Sequence, residues 1–159
     1  MPRWRARNGF VIASSKTEER LEMNGILELM PNAINRLTLP VDGSTLETII
    51  TFEDVIGLNG LVETPIVSPL ETTWFAVRRT SDGPSRVSLD QSAQPCSTLA
   101  VRAVRTDDSV YRLVTAYVGT LTPFQPWDPR MPAEMRETCL DFWCRHALVY
   151  DPRIMEHWF

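Results

Sequence analysis

The residues of this chain best suited to chemistry are its arginines, a set of hydroxyls and one histidine. In the segment Val110 to Val118, a strand period of two separates Val110, Arg112, Val114, Ala116 and Val118 from Tyr111, Leu113, Thr115 and Tyr117. The second set lines up three hydroxyls, a surface that can hold a phosphate or a base. Arg78, Arg79, Arg86, Arg102, Arg105 and Arg112 fall in the surrounding strand-like segments. A planar guanidinium binds phosphate oxygens in pairs and stays charged at any useful pH. His146 supplies the acid or base that operates near neutrality. Metal-independent phosphodiester chemistry would use Arg79 and Arg86 as a phosphate clamp, Thr115 and Tyr117 to orient the ribose or scissile phosphate, and His146 to move the proton.

Other chemistries lack their residues. The chain has no HExxH, no calcium-loop pattern, no P-loop, no GxGxxG and no GxSxG elbow. Cys96, Cys139 and Cys144 contain no CxxC, so neither a zinc site nor a disulfide framework is indicated, and a reducing cytoplasm is expected. No metal and no cofactor is implied. Cys96, in a Pro-Cys-Ser turn, is expected to be the exposed cysteine. A binding chemistry has its own residues: Trp127 and Asp128 lie between Pro126 and Pro129, where the tryptophan is expected to offer a stacking platform, and Trp158-Phe159 form an aromatic end.

The elements that must position these groups follow from pattern. At 159 residues, with 43% hydrophobic and 23% charged side chains, residues 1–159 make a single globular domain. Residues 1–15 and 154–159 are read as mobile ends. No apolar run reaches membrane-spanning length, so a cytoplasmic protein is expected. Ser44-Thr45-Leu46-Glu47 reads as a capping box opening a helix that ends at Gly57 or Gly60. Residues 16–30 form a second helical candidate, interrupted by Asn24-Gly25. Trp74 to Thr80, Arg86 to Leu89, Leu99 to Arg105 and Val110 to Thr120 read as strands of an antiparallel meander. The proline-rich stretch Pro123 to Pro129 reads as an ordered loop, and a helix from Pro132 runs to about Tyr150. The class is α+β: N-terminal helical elements, a central antiparallel sheet of about four strands, and a C-terminal helix packed on it.

Charge is unevenly spread. Residues 1–20 hold five basic groups against two acids, residues 21–71 one arginine against eight acids, and residues 72–120 six arginines against four acids. An acidic stretch next to a locally basic one argues against a general duplex-DNA coat and leaves room for a focused anion site.

The segment Tyr111-Arg112-Leu113-Val114-Thr115-Ala116-Tyr117, within residues 72–120, resembles the small metal-independent ribonuclease fold shared by RelE-type toxins, colicin-type tRNA nucleases and EndoU-like domains. That resemblance implies helices preceding a four-stranded antiparallel sheet whose face carries basic, hydroxyl and aromatic side chains. The chain departs from it in its net charge of −4, its single lysine, Lys16, and the lack of a histidine before the sheet. Two functions are therefore expected in order. The first is a non-catalytic protein-binding module, an inhibitor or assembly factor of the kind carried by phages and mobile elements, acting through the acidic 21–71 surface and exposed aromatics. The alternative is a ribonuclease-like toxin or RNA-binding domain using the arginine and hydroxyl face.

Overall fold

The basic opening segment is built into a sheet. In the computed structural model, which describes residues 1–64, 74–78 and 83–157, β1 (Arg3–Ala6) and β2 (Gly9–Ile12) form a hairpin. Trp4, Ala6 and Val11 are buried while Arg3 and Arg5 are exposed, the alternation of a strand with one face on a core. The start, expected as a mobile end, is thus paired as a hairpin with Trp4 and Val11 buried.

The chain divides into two compact units, Met1–Gly57 with Cys96–Leu121, and Leu58–Pro95 with Thr122–Phe159. In the first, the sheet runs in the order β1, β2, β10 (Val110–Val118), β9 (Thr98–Asp107), β3 (Thr45–Thr51). The pair β2 and β10 is parallel and the others antiparallel. Helices α1 (Ser15–Met23) and α2 (Met30–Asn35) connect β2 to β3, with a 3₁₀ turn at Leu27–Leu29 between them. They contribute Leu21, Met30, Ala33 and Ile34 to a core shared with Val11, Leu99, Val101, Tyr111 and Leu113 of the sheet.

Local signals explain α1. The Thr17 N–H donates to the Ser14 side chain at 3.2 Å, capping the start. At the other end the Gly25 N–H reaches Glu22 O and the Ile26 N–H reaches Leu21 O, with Gly25 at φ 73°. This is a Schellman stop, sealed by buried Leu21 and Ile26. The expected break at Asn24-Gly25 is therefore a helix terminus. Gly9 is fixed by close approach, since a Cβ there would run into the Ser109 carbonyl oxygen, which accepts the Phe10 N–H at 2.8 Å.

The expected helix at Ser44 is a strand. Thr45, Thr48, Ile49, Ile50 and Thr51 are β-branched and lose χ1 freedom in a helix, whereas Leu46 and Ile50, both buried, alternate correctly for a sheet. The Ser44 carbonyl accepts from the Arg105 N–H at 2.7 Å, so long-range pairing outcompetes the local box.

The second unit holds the order β12 (Met155–His157), β6 (Trp74–Arg78), β7 (Pro84–Ser88), β11 (His146–Val149), β5 (Leu61–Glu63). Here β7 and β11 are parallel. Ala76, Val87 and Met155 form its buried cluster, with Leu148, Tyr150 and Ile154 packed against them. Helix α3 (Arg136–Arg145) follows a 3₁₀ turn at Ala133–Met135. A third sheet pairs β4 (Gly57–Asn59) with β8 (Gln94–Cys96).

The chain is α+β as expected, with three corrections of detail. Strands overlap each of the four expected segments, of which residues 79–80 lie outside the described residues, but β6 and β7 belong to one five-stranded sheet and β9 and β10 to another, so there is no single four-stranded meander. The last helix stops at Arg145 because His146 turns extended, at φ −132° and ψ 154°, and pairs with Glu63. Residues 155–157 are a strand paired with β6 and not a mobile end. Among the described residues, no helix is long and apolar enough to cross a membrane.

Candidate functional site

Strand β10 carries the hydroxyls, and a bulge decides which of them face outward. Leu113 pairs with Ala103 but Thr115 pairs with Arg102, so Val114 is an extra residue and the side-chain alternation slips by one. Tyr111 and Leu113 consequently point into the core with Ala116, and Thr115 and Tyr117 are half-buried on the opposite face. The expected row of three hydroxyls is broken. Tyr111 is fully buried and its hydroxyl donates to Pro40 O at 2.8 Å, a structural bond.

The face that holds Thr115 and Tyr117 gathers residues from the neighbouring strands. Thr115 lies opposite Arg102, which lies opposite Glu47, with an Arg102 Nε to Glu47 Oε1 distance of 3.9 Å. Arg112 pairs with Ile12 and Ile12 with Arg3. Arg3 and Arg112 are both exposed, and the Arg3 guanidinium stands 3.9 Å over the Phe10 ring. Arg3, Phe10 and Glu47 were missed as members because two of them sit in a segment read as mobile and the third in a segment read as a helix. Their signal was the alternation Arg-Trp-Arg-Ala and the β-branched run after Glu47.

Arg86 and His146 lie in the other unit. In the parallel pairing of β7 and β11, Val87 stands beside Leu148 and Ser88 beside Val149. By the period of two, His146 shares the face of Leu148 and Val87, and Arg86 occupies the opposite face. The Arg86 Nη1 donates to Thr64 Oγ1 at 2.6 Å and to Cys144 O at 2.9 Å, bracing β7 against the end of α3. The His146 ring stacks on Phe142 at 3.9 Å and 8°, and its Nδ1 lies 2.9 Å from Phe142 O. Since a carbonyl only accepts, Nδ1 is the donor in this contact. Arg79, Trp158 and Phe159 lie outside the described residues.

The loop residues serve the second unit. The Trp127 indole donates to Pro84 O at 2.6 Å, and its ring lies so close to Gly83 that a Cβ there would collide with it. Asp128 is 8% exposed and accepts the Arg130 backbone N–H, Nε and Nη2 at 2.9, 3.1 and 2.8 Å. Both residues hold the proline-rich loop in shape, as expected of an ordered loop, and each spends its polar group internally. Cys144 is exposed, Cys96 half-buried and Cys139 buried, which corrects the expectation for Cys96. Among the described residues no three His, Cys, Asp or Glu side chains gather as a metal site would need.

No family model, curated protein or solved structure matches the chain. The site's chemistry must come from its own residues.

A different surface is assembled around β3. This strand is the last in its sheet, and Thr45, Glu47, Ile49 and Thr51 are all exposed along it. The loops at its two ends add exposed Asp42, Glu53 and Asp54, with exposed Val41 and Val55 beside them. Arginines meet this margin as well: Arg102 stands 3.9 Å from Glu47 Oε1, and Arg36 donates to Thr51 O at 2.8 Å and stands 4.5 Å over the Phe52 ring. The Arg105 guanidinium braces the other end through Pro40 O and Val41 O, at 3.0 and 2.7 Å. The margin is braced at both ends, apolar in part and acidic.

Proposed function

We propose that the protein is a non-catalytic protein-binding module that acts through this acidic margin. The observation that carries the reading is the exposure of Asp42, Glu47, Glu53 and Asp54 around one edge strand, interleaved with exposed Val41, Ile49 and Val55. Like charge at such density repels nucleic acid and steers a basic protein surface toward it, and the apolar side chains supply area to bury. The reading fits an inhibitor or an assembly factor. The opposite-face arrangement of Arg86 and His146 weighs against a shared phosphate site in their sheet.

Combining Asp42→Asn, Glu47→Gln, Glu53→Gln and Asp54→Asn tests it. Protein partners captured from lysate by the parent chain are expected to be lost by the variant, and to be lost from the parent as salt rises. Capture that ignores both changes overturns the reading.

The second reading, an RNA-binding or RNA-cleaving domain, is favoured by the Glu47, Arg102 and Thr115 row and by Arg3 and Arg112 on the same face. Incubation with total RNA in EDTA separates the two. Cleavage that disappears in Arg112→Ala and Thr115→Ala would replace the binding module with the enzyme.

A further inference from the structure

Within the first unit the two margins of the sheet are unlike each other. At one side β1 has four residues and presents exposed Arg3 and Arg5. It is short and charged, two features by which proteins discourage other strands from pairing. At the other side β3 has seven residues, five of them β-branched, with no proline, glycine or lysine and an unbroken register against β9. Its protection is limited to the charge of Glu47 and the Arg36 guanidinium on Thr51 O.

The hydrogen-bonding pattern shows which backbone groups that edge offers. Ser44 O accepts from Arg105 N, and Phe52 N donates to Ser97 O. In an antiparallel pair these groups alternate, so Leu46, Thr48 and Ile50 direct their N–H and C=O to β9, and Thr45, Glu47, Ile49 and Thr51 direct theirs off the sheet. The Arg36 guanidinium on Thr51 O agrees with this assignment. Among the described residues no strand pairs with that side of β3.

We propose that the free edge of β3 takes up an extended basic segment of a partner protein as a sixth strand of this sheet. The inference rests on the protein-binding reading above and states how the partner docks. Main-chain bonds to Thr45, Glu47 and Ile49 would hold the segment, and its side chains would choose it: a lysine or arginine opposite Glu47, an apolar residue opposite Ile49, and basic residues near Asp42 and near Glu53-Asp54. A second copy of this chain is the poorer occupant. Both ends of β3 are acidic, so β3 pairing with its own copy brings carboxylates together in either direction.

The probe is a labelled seven-residue peptide in which arginine, lysine, valine and arginine alternate with threonine, blocked at both ends. Fluorescence anisotropy measures its binding to the intact chain, and amide hydrogen exchange locates it. Binding is expected to slow exchange at Thr45, Glu47 and Ile49. Methylating alternate peptide nitrogens, which removes donors but keeps charge, is expected to weaken it at least about tenfold. Ile49→Pro deletes one outward N–H and no bond to β9, so it should weaken binding while the thermal midpoint stays near that of the parent. Glu47→Lys tests the charge without touching the backbone.

Equal affinity for the methylated peptide, with sensitivity to Glu47→Lys retained, would overturn strand addition and leave the acidic-margin reading standing. Absence of binding by either peptide overturns both. Self-association of the chain that Ile49→Pro abolishes makes a second copy the occupant and also overturns the proposal.

Discussion

In the first unit nineteen buried residues share one core, whereas among the described residues of the second the corresponding cluster is Ala76, Val87 and Met155. In both units long side chains donate to backbone carbonyls: Arg36 to Thr51 O, Arg105 to Pro40 O and Val41 O, and Tyr111 to Pro40 O in the first, and Arg86 to Cys144 O, Trp127 to Pro84 O, and Trp143 to Phe124 O at 3.0 Å in the second. In the first these bonds add to a large area removed from water, a non-directional contribution. The directional bonds of both units are each modest when made and costly when one partner is left buried and unsatisfied. The proposed binding surface lies on the first unit, along β3.

The sharpest way to break the contrast is a cavity in each cluster. Leu99→Ala should destabilise the first unit by about 2–5 kcal/mol, and Val87→Ala the second by less, because it removes less buried side chain. Urea unfolding with amide exchange as the readout assigns the loss to each unit. In the parent, amides of β9 and β10 are expected to exchange more slowly than those of β6 and β7.

Gly83→Ala attacks the Trp127 contact of the second unit. Its Cβ meets the Trp127 ring, and an overpacking loss of about 1–3 kcal/mol is expected. Trp127→Ala in the same chain should cancel part of that loss, so a double-mutant cycle in the thermal midpoint reads the coupling directly. Independent, additive effects would show that the loop does not rest on Gly83.

Tyr111→Phe removes one hydroxyl from the first unit and leaves the ring in place. The loss is expected to be about 1 kcal/mol, the net worth of the bond to Pro40 O. Ribonuclease activity that fell with this substitution would put the tyrosine in a site and not in the core.

The smallest effect concerns pH. The Arg153 side chain, donating to both oxygens of Asp151 at 3.0 and 2.9 Å, holds that carboxyl below its ordinary value of 3.8. A carboxyl lowered by folding stabilises the fold above the unfolded-state value and loses that contribution as pH falls through the folded one. Both groups are solvent-accessible, so screening keeps the contribution small. Asp151→Asn should lower stability slightly at neutral pH, where the pair contributes, and leave the strongly acid end unchanged, so that the fall in stability below about pH 4 becomes shallower.

Much of the local structure was legible from residue order alone. The Asn24-Gly25 stop, the four central strand segments and the irregular proline-rich loop all follow from backbone preferences acting over a few residues. So did the α+β class and the acidity of residues 21–71. Tertiary structure decided the rest, because it depends on groups far apart in the chain. Pairing with β9, about fifty residues on, turned a well-formed capping box into β3. Pairing with Glu63 ended the last helix at His146. A single extra residue, Val114, moved Thr115 and Tyr117 to the face opposite Tyr111, a change no periodicity within β10 announces. The acidic margin combines both kinds of information: residue order supplied the carboxylates, and only the sheet made the strand between them an edge.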